Sequence, residues 1–289
     1  MNIIEQALQQ TGDDSGGPLK VKRLQGGEIN NCFLVKTKQH SYVIKYHSEA
    51  PVHFFKREAD GLAHIRSTHS VATPDVYSYR DEIGASFIVM EWIDNVKKTI
   101  TAEEALSERI AALHDTHWDM HGYPAETYVG MLRQPNGLYR NWLAYYRDQR
   151  LSNQLDIGVK NDRITGKRRN RLEKLLAGLD KWVPSNVPAS FLHGDLWGQN
   201  WLLDKDGIPY VIDPSFLYGD RHFELAYMEL FGRFSNRFFE VYHSAYPVSD
   251  TYHDVKPIYQ LYYLLVHLNI FGEIYGPRID DILKRFVPS

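Results

Sequence analysis

The chain has 289 residues, 43% hydrophobic and 24% charged, too long for a disulfide mini-scaffold and ordinary for a globular protein of one large core or two lobes. Its formal net charge is −3, with 10 basic and 11 acidic groups in residues 1–92, so neither half is an electrostatic partner for nucleic acid. The single cysteine, Cys32, excludes an internal disulfide and a cysteine-rich metal site, and suits a reducing compartment.

The opening MNIIEQALQQ lacks the basic and apolar regions of a secretory signal, so a cytoplasmic protein is expected. Residues 3–10 read as a short helix, ended by the glycine-rich TGDDSGGP. VKRL, NCFLVKT and SYVIKYH are rich in β-branched and aromatic residues and are separated by the turn-like QGGEIN and KQH. They predict an antiparallel meander. Residues 51–67 have helical spacing, with Phe55, Ala59, Leu62 and Ile65 on one face. Two more strands flank the turn Asp81–Gly84.

After Trp92 helices dominate. Thr101 and Glu104 have capping-box spacing and predict a helix over 101–117. Amphipathic helical stretches follow at 140–155 and 162–183. Residues 182–213 return to short strands and loops, with DKDG (204–207) as a hairpin turn. From about His222 onward the pattern is helical. Its most apolar stretch, 258–271, falls short of the ~20 residues a membrane span needs. The expected fold is α+β: a strand-rich N-terminal lobe over 1–92 and a mainly helical C-terminal lobe over 93–289.

The densest chemistry lies in HGDLWGQN (193–200) and VIDP (211–214). The hairpin between them brings Asp195, Asn200 and Asp213 to one end. Either aspartate alone reads as a loop cap; the three together read as hard oxygen ligands suited to Mg²⁺ shared with a nucleoside triphosphate. Asp195 can also accept a proton from an attacking hydroxyl. Lys45 lies inside an apolar strand, which is costly unless its ammonium finds a partner. Glu58, on the following helix, supplies one and lets the lysine present its charge to phosphates. Gly26 and Gly27, just before that strand pair, let backbone N–H groups approach phosphates. His114, His117 and His121 lack an evident fourth metal ligand and read as structural. Ser190 and Ser215 lie near histidines without a nucleophile-elbow motif.

These residues resemble the protein-kinase-like fold in the form used by aminoglycoside and choline phosphotransferases. More narrowly, the chain resembles the fructosamine/ketosamine-3-kinase family over residues 20–275. The resemblance is carried by GGEIN, VIKYH, READGL, FLHGDLWGQNWLL and IDPSFLYGDRHFELAYMELFGRF. It implies ATP and Mg²⁺ as cofactors and the 3-hydroxyl of a ketosamine, free or on a protein lysine, as acceptor. It implies Asp195 as catalytic base, Asn200 and Asp213 as metal ligands, and Gly26, Gly27, Lys45 and Glu58 around ATP. The hinge Met90, Glu91, Trp92 and Ile93 is expected to take the adenine edge, and Trp197, Tyr218 and Asp220 to meet the sugar. Against the family pattern, Glu28 stands where relatives have cysteine, Gly198 where they have serine, and His222 where they are acidic. Glu224 stands for aspartate and Arg233 for glycine. A kinase of another amino-sugar or amino-alcohol, and a catalytically inactive binding protein, are the alternatives.

Overall fold

The computed structural model describes residues 3–24 and 30–288; Gly26, Gly27 and Glu28 lie outside the described residues. Helix α1 (Ile3–Gln9) precedes strands β1 (Lys20–Arg23), β2 (Asn31–Lys36) and β3 (Ser41–His47), and helix α2 (Phe54–Ser67) connects these to β4 (Val76–Arg80) and β5 (Ser86–Glu91). The five strands form one antiparallel sheet in the order β1-β2-β3-β5-β4. Strand alternation sorts its faces. Tyr42, Ile44, Phe87 and Val89 pack with Ile4, Ala7 and Leu8 of α1. Ile88 and Met90 pack on the other face with Phe55, Ala59 and Leu62 of α2. Lys45 follows Ile44 and therefore falls on the α2 face, paired in register with Ile88 and Cys32. A one-residue slip would turn its ammonium away from the helix.

Helix α3 (Ile100–His114) starts earlier than the capping box suggested: Thr99 Oγ accepts from the Ala102 N–H at 3.2 Å. Thr101 lies inside the helix. Both threonines suit an N-cap, and the extended backbone of Thr99, not spacing, selects it. The following stretch holds five short strands, β6 (His117–Trp118), β7 (His121–Gly122), β8 (Thr127–Val129), β9 (Leu132–Gln134) and β10 (Leu138–Tyr139). Strands of two or three residues carry no readable period, and helical dominance after Trp92 did not anticipate them.

Helix α4 (Trp142–Tyr145) continues through a π-helical turn (Tyr146–Ser152) into α5 (Asn153–Lys160), and α6 (Gly166–Ala177) follows. Next come β11 (Ala189–Leu192), β12 (Trp201–Leu203), β13 (Pro209–Val211) and β14 (Leu217–Gly219). Helices α7 (Arg221–Phe231), α8 (Asn236–Ala245), α9 (Tyr252–Phe271) and α10 (Gly276–Phe286) complete the chain. A second sheet has the order β10-β7-β14-β11-β6, while β8 pairs with β9 and β12 with β13. The apolar stretch at 258–271 belongs to α9, whose buried face packs with Trp142, Tyr146 and Phe223 in the largest core. Each such fully buried side chain contributes ~1.5–3 kcal/mol. No helix among the described residues is long and apolar enough to cross a membrane.

Candidate active site

The strand register places Lys45 opposite α2, and the hairpin β12–β13 delivers Asp213 to the same point. Lys45 Nζ donates to Glu58 Oε1 at 2.6 Å and also to Asp213 Oδ1. Burial works against the ammonium, but the two carboxylates outweigh it and hold Lys45 well above the usual lysine range. Burial would likewise raise Asp213, and the Lys45 charge and hydrogen bond keep it below the ordinary carboxylate range. Asp213 adopts a left-handed backbone, with φ of 58°, and its side chain stays 40% exposed. A non-glycine residue in that conformation marks a constrained position at the strand end.

The loop His193–Asn200 joins β11 to β12. Gly194 has a φ of 85°, and a Cβ there would lie 1.9 Å from the Ser215 carbonyl oxygen. Only glycine satisfies both demands. The His193 ring bridges the loop. Its Nε2 lies 2.9 Å from the Ile212 carbonyl, and its Nδ1 accepts from the Asp195 N–H at 3.3 Å. That pattern requires a neutral imidazole, and burial lowers the His193 pKa accordingly. The Asn200 amide donates to the Asp195 backbone oxygen at 2.8 Å and to Oδ2 at 3.0 Å. Asp195 Oδ1 accepts from the Tyr227 hydroxyl at 2.6 Å. Burial pushes Asp195 up to about 7, with Tyr227 and Asn200 pulling the other way. A carboxylate poised there can take a proton near neutrality, and each oxygen keeps a second lone pair for an acceptor hydroxyl.

Helix α7 runs along this loop and fixes it. Glu224 is fully buried and accepts the backbone N–H groups of His193, at 3.0 Å, and of Gly194. The same carboxylate lies 2.9 Å from His114 Nε2, while His114 Nδ1 meets the Tyr242 hydroxyl at 2.7 Å. Burial raises Glu224, but these donors outweigh it and keep the carboxyl below its ordinary range. Tyr227 lies three residues on, so it shares the loop-facing side of the helix. These two anchors were not read as site residues from the sequence; their i,i+3 spacing behind the loop was the available signal. The other histidines part company with His114: His117 reaches Tyr246, and His121 packs on Trp142. Ser215 is buried and donates to Gln134.

Lys45, Glu58, Asp195, Asn200 and Asp213 all border one cleft of about 620 Å³. Met90, Glu91, Trp92 and Ile93, at the end of β5, also line it, as does Trp197. The Glu91 N–H is committed to Asp75 O at 2.8 Å and the Trp92 N–H to Ser41 O at 3.1 Å. The Ile93 N–H donates to nothing among the described residues. Asn200 turns its amide nitrogen to Asp195, leaving Oδ1 as its uncommitted oxygen. With the Asp213 carboxylate, that is a hard, partial donor set that fits Mg²⁺ completed by phosphate oxygens. Arg57 and Tyr128 also line the cleft and carried no sequence signal.

Two expected sugar contacts lie elsewhere. Tyr218 does not border the cleft; its ring packs on Phe191 at 5.1 Å and Trp118 at 5.2 Å. Asp220 is 2% exposed and caps α7, accepting from the His222 N–H at 3.0 Å and the Tyr259 hydroxyl at 2.6 Å. Asp220 is thus buried at the start of α7, while Tyr218 is half-buried on β14 against neighbouring rings.

A family model described as fructosamine kinase matches residues 1–288. A probable ketoamine kinase of Enterococcus faecium is 33% identical over 92% of this chain and 95% of its own length. One from Lactiplantibacillus plantarum is 34% identical over 92% and 94%. A crystal structure of a Haemophilus somnus protein named as a fructosamine-3-kinase superposes with a TM-score of 0.88 at 28% identity, covering 98% of this chain and 96% of that one. The aminoglycoside phosphotransferase APH(4)-Ia, solved with AMP-PNP and hygromycin B, shares the fold at a TM-score of 0.67 and 16% identity over 100% of both chains. With a whole-chain match and these relatives, the chain belongs to the fructosamine kinase family.

Proposed function

We propose that the protein transfers the γ-phosphoryl group of ATP, with Mg²⁺, to the 3-hydroxyl of a ketosamine, free or on a protein lysine. The convergence of Lys45, Asp195, Asn200 and Asp213 on one cleft, in a chain of this family, carries the reading. The coarser statement, a phosphotransferase with a ketoamine hydroxyl as acceptor, follows from the family itself.

Phosphoryl transfer asks for alignment and charge neutralisation more than for covalent chemistry by the protein. Lys45 brings a permanent cation to the phosphates, held against α2 by Glu58. The hinge from Met90 to Ile93 takes the adenine edge, with the unclaimed Ile93 N–H as donor. Gly26 and Gly27 are assigned to the phosphates from the sequence motif alone. Asn200 Oδ1 and Asp213 would hold Mg²⁺, which would supply neutralisation of charge on the phosphate oxygens. Asp195 orients the acceptor hydroxyl and receives its proton. Trp197 gives the sugar an apolar face. Asp220 supports this architecture from within the protein, and Tyr218 through its ring contacts. The product, a phosphate at C3 beside a C2 ketone, is unstable. Loss of a proton from C1 gives an enaminol that expels phosphate from C3, and hydrolysis then frees the amine, a deglycation.

ATP consumption across ketosamines, aminoglycosides and choline, with NMR of the phosphorylated product, tests this. Phosphate on oxygen 3 of a fructose- or ribulose-derived amine is the expected result, with Asp195→Asn retaining ATP binding but not turnover. Phosphate on another oxygen, or turnover confined to aminoglycosides or choline, overturns it.

A further inference from the structure

Helix α7 meets the catalytic loop at three successive levels: Glu224 at His193 and Gly194, Tyr227 at Asp195, and the segment after its C-terminus at Trp197 and Gly198. Apart from Trp197, the third level has no part in the chemistry derived above, and it is occupied by cations. Arg233 stands there in a left-handed backbone, with φ of 72°, directly after Gly232 at 64°. That conformation disfavours any residue with a Cβ. Its guanidinium carbon lies 5.2 Å from the centre of the Trp197 ring, which lines the cleft. Gly198 makes the room: a Cβ there would lie 2.3 Å from Arg233 Cβ.

Lys98 approaches the same glycine from the other side. Its Nζ donates to Gly198 O at 2.7 Å and sits 4.3 Å over the Trp201 ring. Burial pushes Lys98 down to about 8, and the Arg233 charge adds to the fall. The one carboxylate that opposes this, Glu103, is not in ion-pair contact with Lys98 and accepts the Ser235 N–H at 2.9 Å. Neither cation forms an ion pair among the described residues, and Arg233 makes no hydrogen bond there. Two cations meet at one glycine, one of them exposed, in a left-handed backbone and over the Trp197 ring that lines the cleft, and neither has an anionic partner among the described residues. A guanidinium over an aromatic ring, with no hydrogen bond of its own, has its donors free for a carboxylate or phosphate.

We propose that Arg233, backed by Lys98, recognises an anionic substituent on the acceptor and makes this a kinase selective for negatively charged ketoamines. The inference rests on the ketoamine-kinase reading and adds the substrate class. The charge has two possible sources: the carboxylate of an amino-acid-derived ketoamine, or a phosphate on the sugar. The positive corner also disfavours a polycationic aminoglycoside at this wall.

The test measures kcat and KM of the full chain with fructosyl-glycine, fructosyl-glycinamide, and a fructosyl-amine with and without a 6-phosphate. A charge-assisted contact predicts a preference of about ten- to a hundredfold in kcat/KM for the charged member of one pair. The pair that shows it identifies carboxylate or phosphate as the source. Arg233→Gly suits the left-handed backbone, so folding is retained, and it should bring that preference to within about twofold of unity, mostly through KM. Arg233→Lys should keep part of it, and Lys98→Met should reduce it. Equal use of charged and neutral acceptors by the wild type overturns the inference while leaving the ketoamine reading intact. So does an equal fall for all acceptors in Arg233→Gly, which would assign the arginine to the loop. Absence of turnover with every ketoamine overturns both.

Discussion

Replacing Glu224 tests whether α7 holds the catalytic loop. In Glu224→Ala, the N–H groups of His193 and Gly194 and the His114 ring would face an emptied, fully buried space. An unsatisfied buried donor costs ~1–3 kcal/mol, and breaking a buried charged network by removing one partner costs ~3–5 kcal/mol. The three donors share one carboxylate, so their costs are not additive, and about 3–5 kcal/mol is the expected loss. Glu224→Gln keeps the volume but gives up the charge and turns an NH₂ toward a donor; about 1.5–3 kcal/mol is expected. Denaturant midpoints at neutral pH, with unchanged slopes, measure both. Burial and donors together leave Glu224 below its ordinary range in the folded state. Its stabilisation is therefore complete above the unfolded value, ~4.3, and is lost as pH falls through the folded value. The gap between wild type and Glu224→Gln should accordingly be widest near neutrality and shrink in acid. A displaced loop also misplaces Asp195, so kcat should fall by about 10² or more. A Glu224→Gln protein with wild-type midpoint and kcat would refute the assignment of Glu224 as the loop's anchor.

Removing the Tyr227 hydroxyl frees one oxygen of Asp195, so Tyr227→Phe should lower kcat by about tenfold. KM for ATP should change less than twofold, and equal changes in both would count against a positioning role. Substitutions Lys45→Met and Glu58→Gln should each weaken ATP use, and their combination should cost less than the sum because the side chains touch. Additive losses in that cycle would return Glu58 to a packing role. Asp213→Asn should fold normally but lose Mg²⁺-dependent turnover by about 10² or more at saturating metal. Near-normal turnover would remove Asp213 from the metal site.

The convergence of Lys45, Glu58, Asn200 and Asp213 was legible in the chain because its geometry is local. Period-two alternation along SYVIKYH sends Lys45 to the face opposite Ile44, and helical spacing over 54–67 presents Glu58 to that face. A tight turn at Asp204–Gly207 folds β12 onto β13, so Asn200 and Asp213 must end near one another. Fold class followed from the same patterns: extended alternation before Trp92, 3.6-residue periodicity after it.

Other assignments waited on contacts between residues far apart in the chain. Tyr218 and Asp220 sit in a motif next to the site, yet Asp220 is committed to the α7 cap and the Tyr259 hydroxyl, and the half-buried Tyr218 to ring contacts with Phe191 and Trp118. Strands as short as His117–Trp118 and His121–Gly122 leave no periodic trace, so the small sheet could not be foreseen. The Thr101–Glu104 spacing pointed to Thr101 as the cap, but it is the extended backbone of Thr99 that starts the helix. Tyr227 meets Asp195 across 32 positions, and Arg233 meets Gly198 only because α7 runs beside the loop. Local periodicity determines which elements form and which face each side chain takes. Which partner waits on that face depends on how helices and sheets pack, and only the tertiary structure decided that.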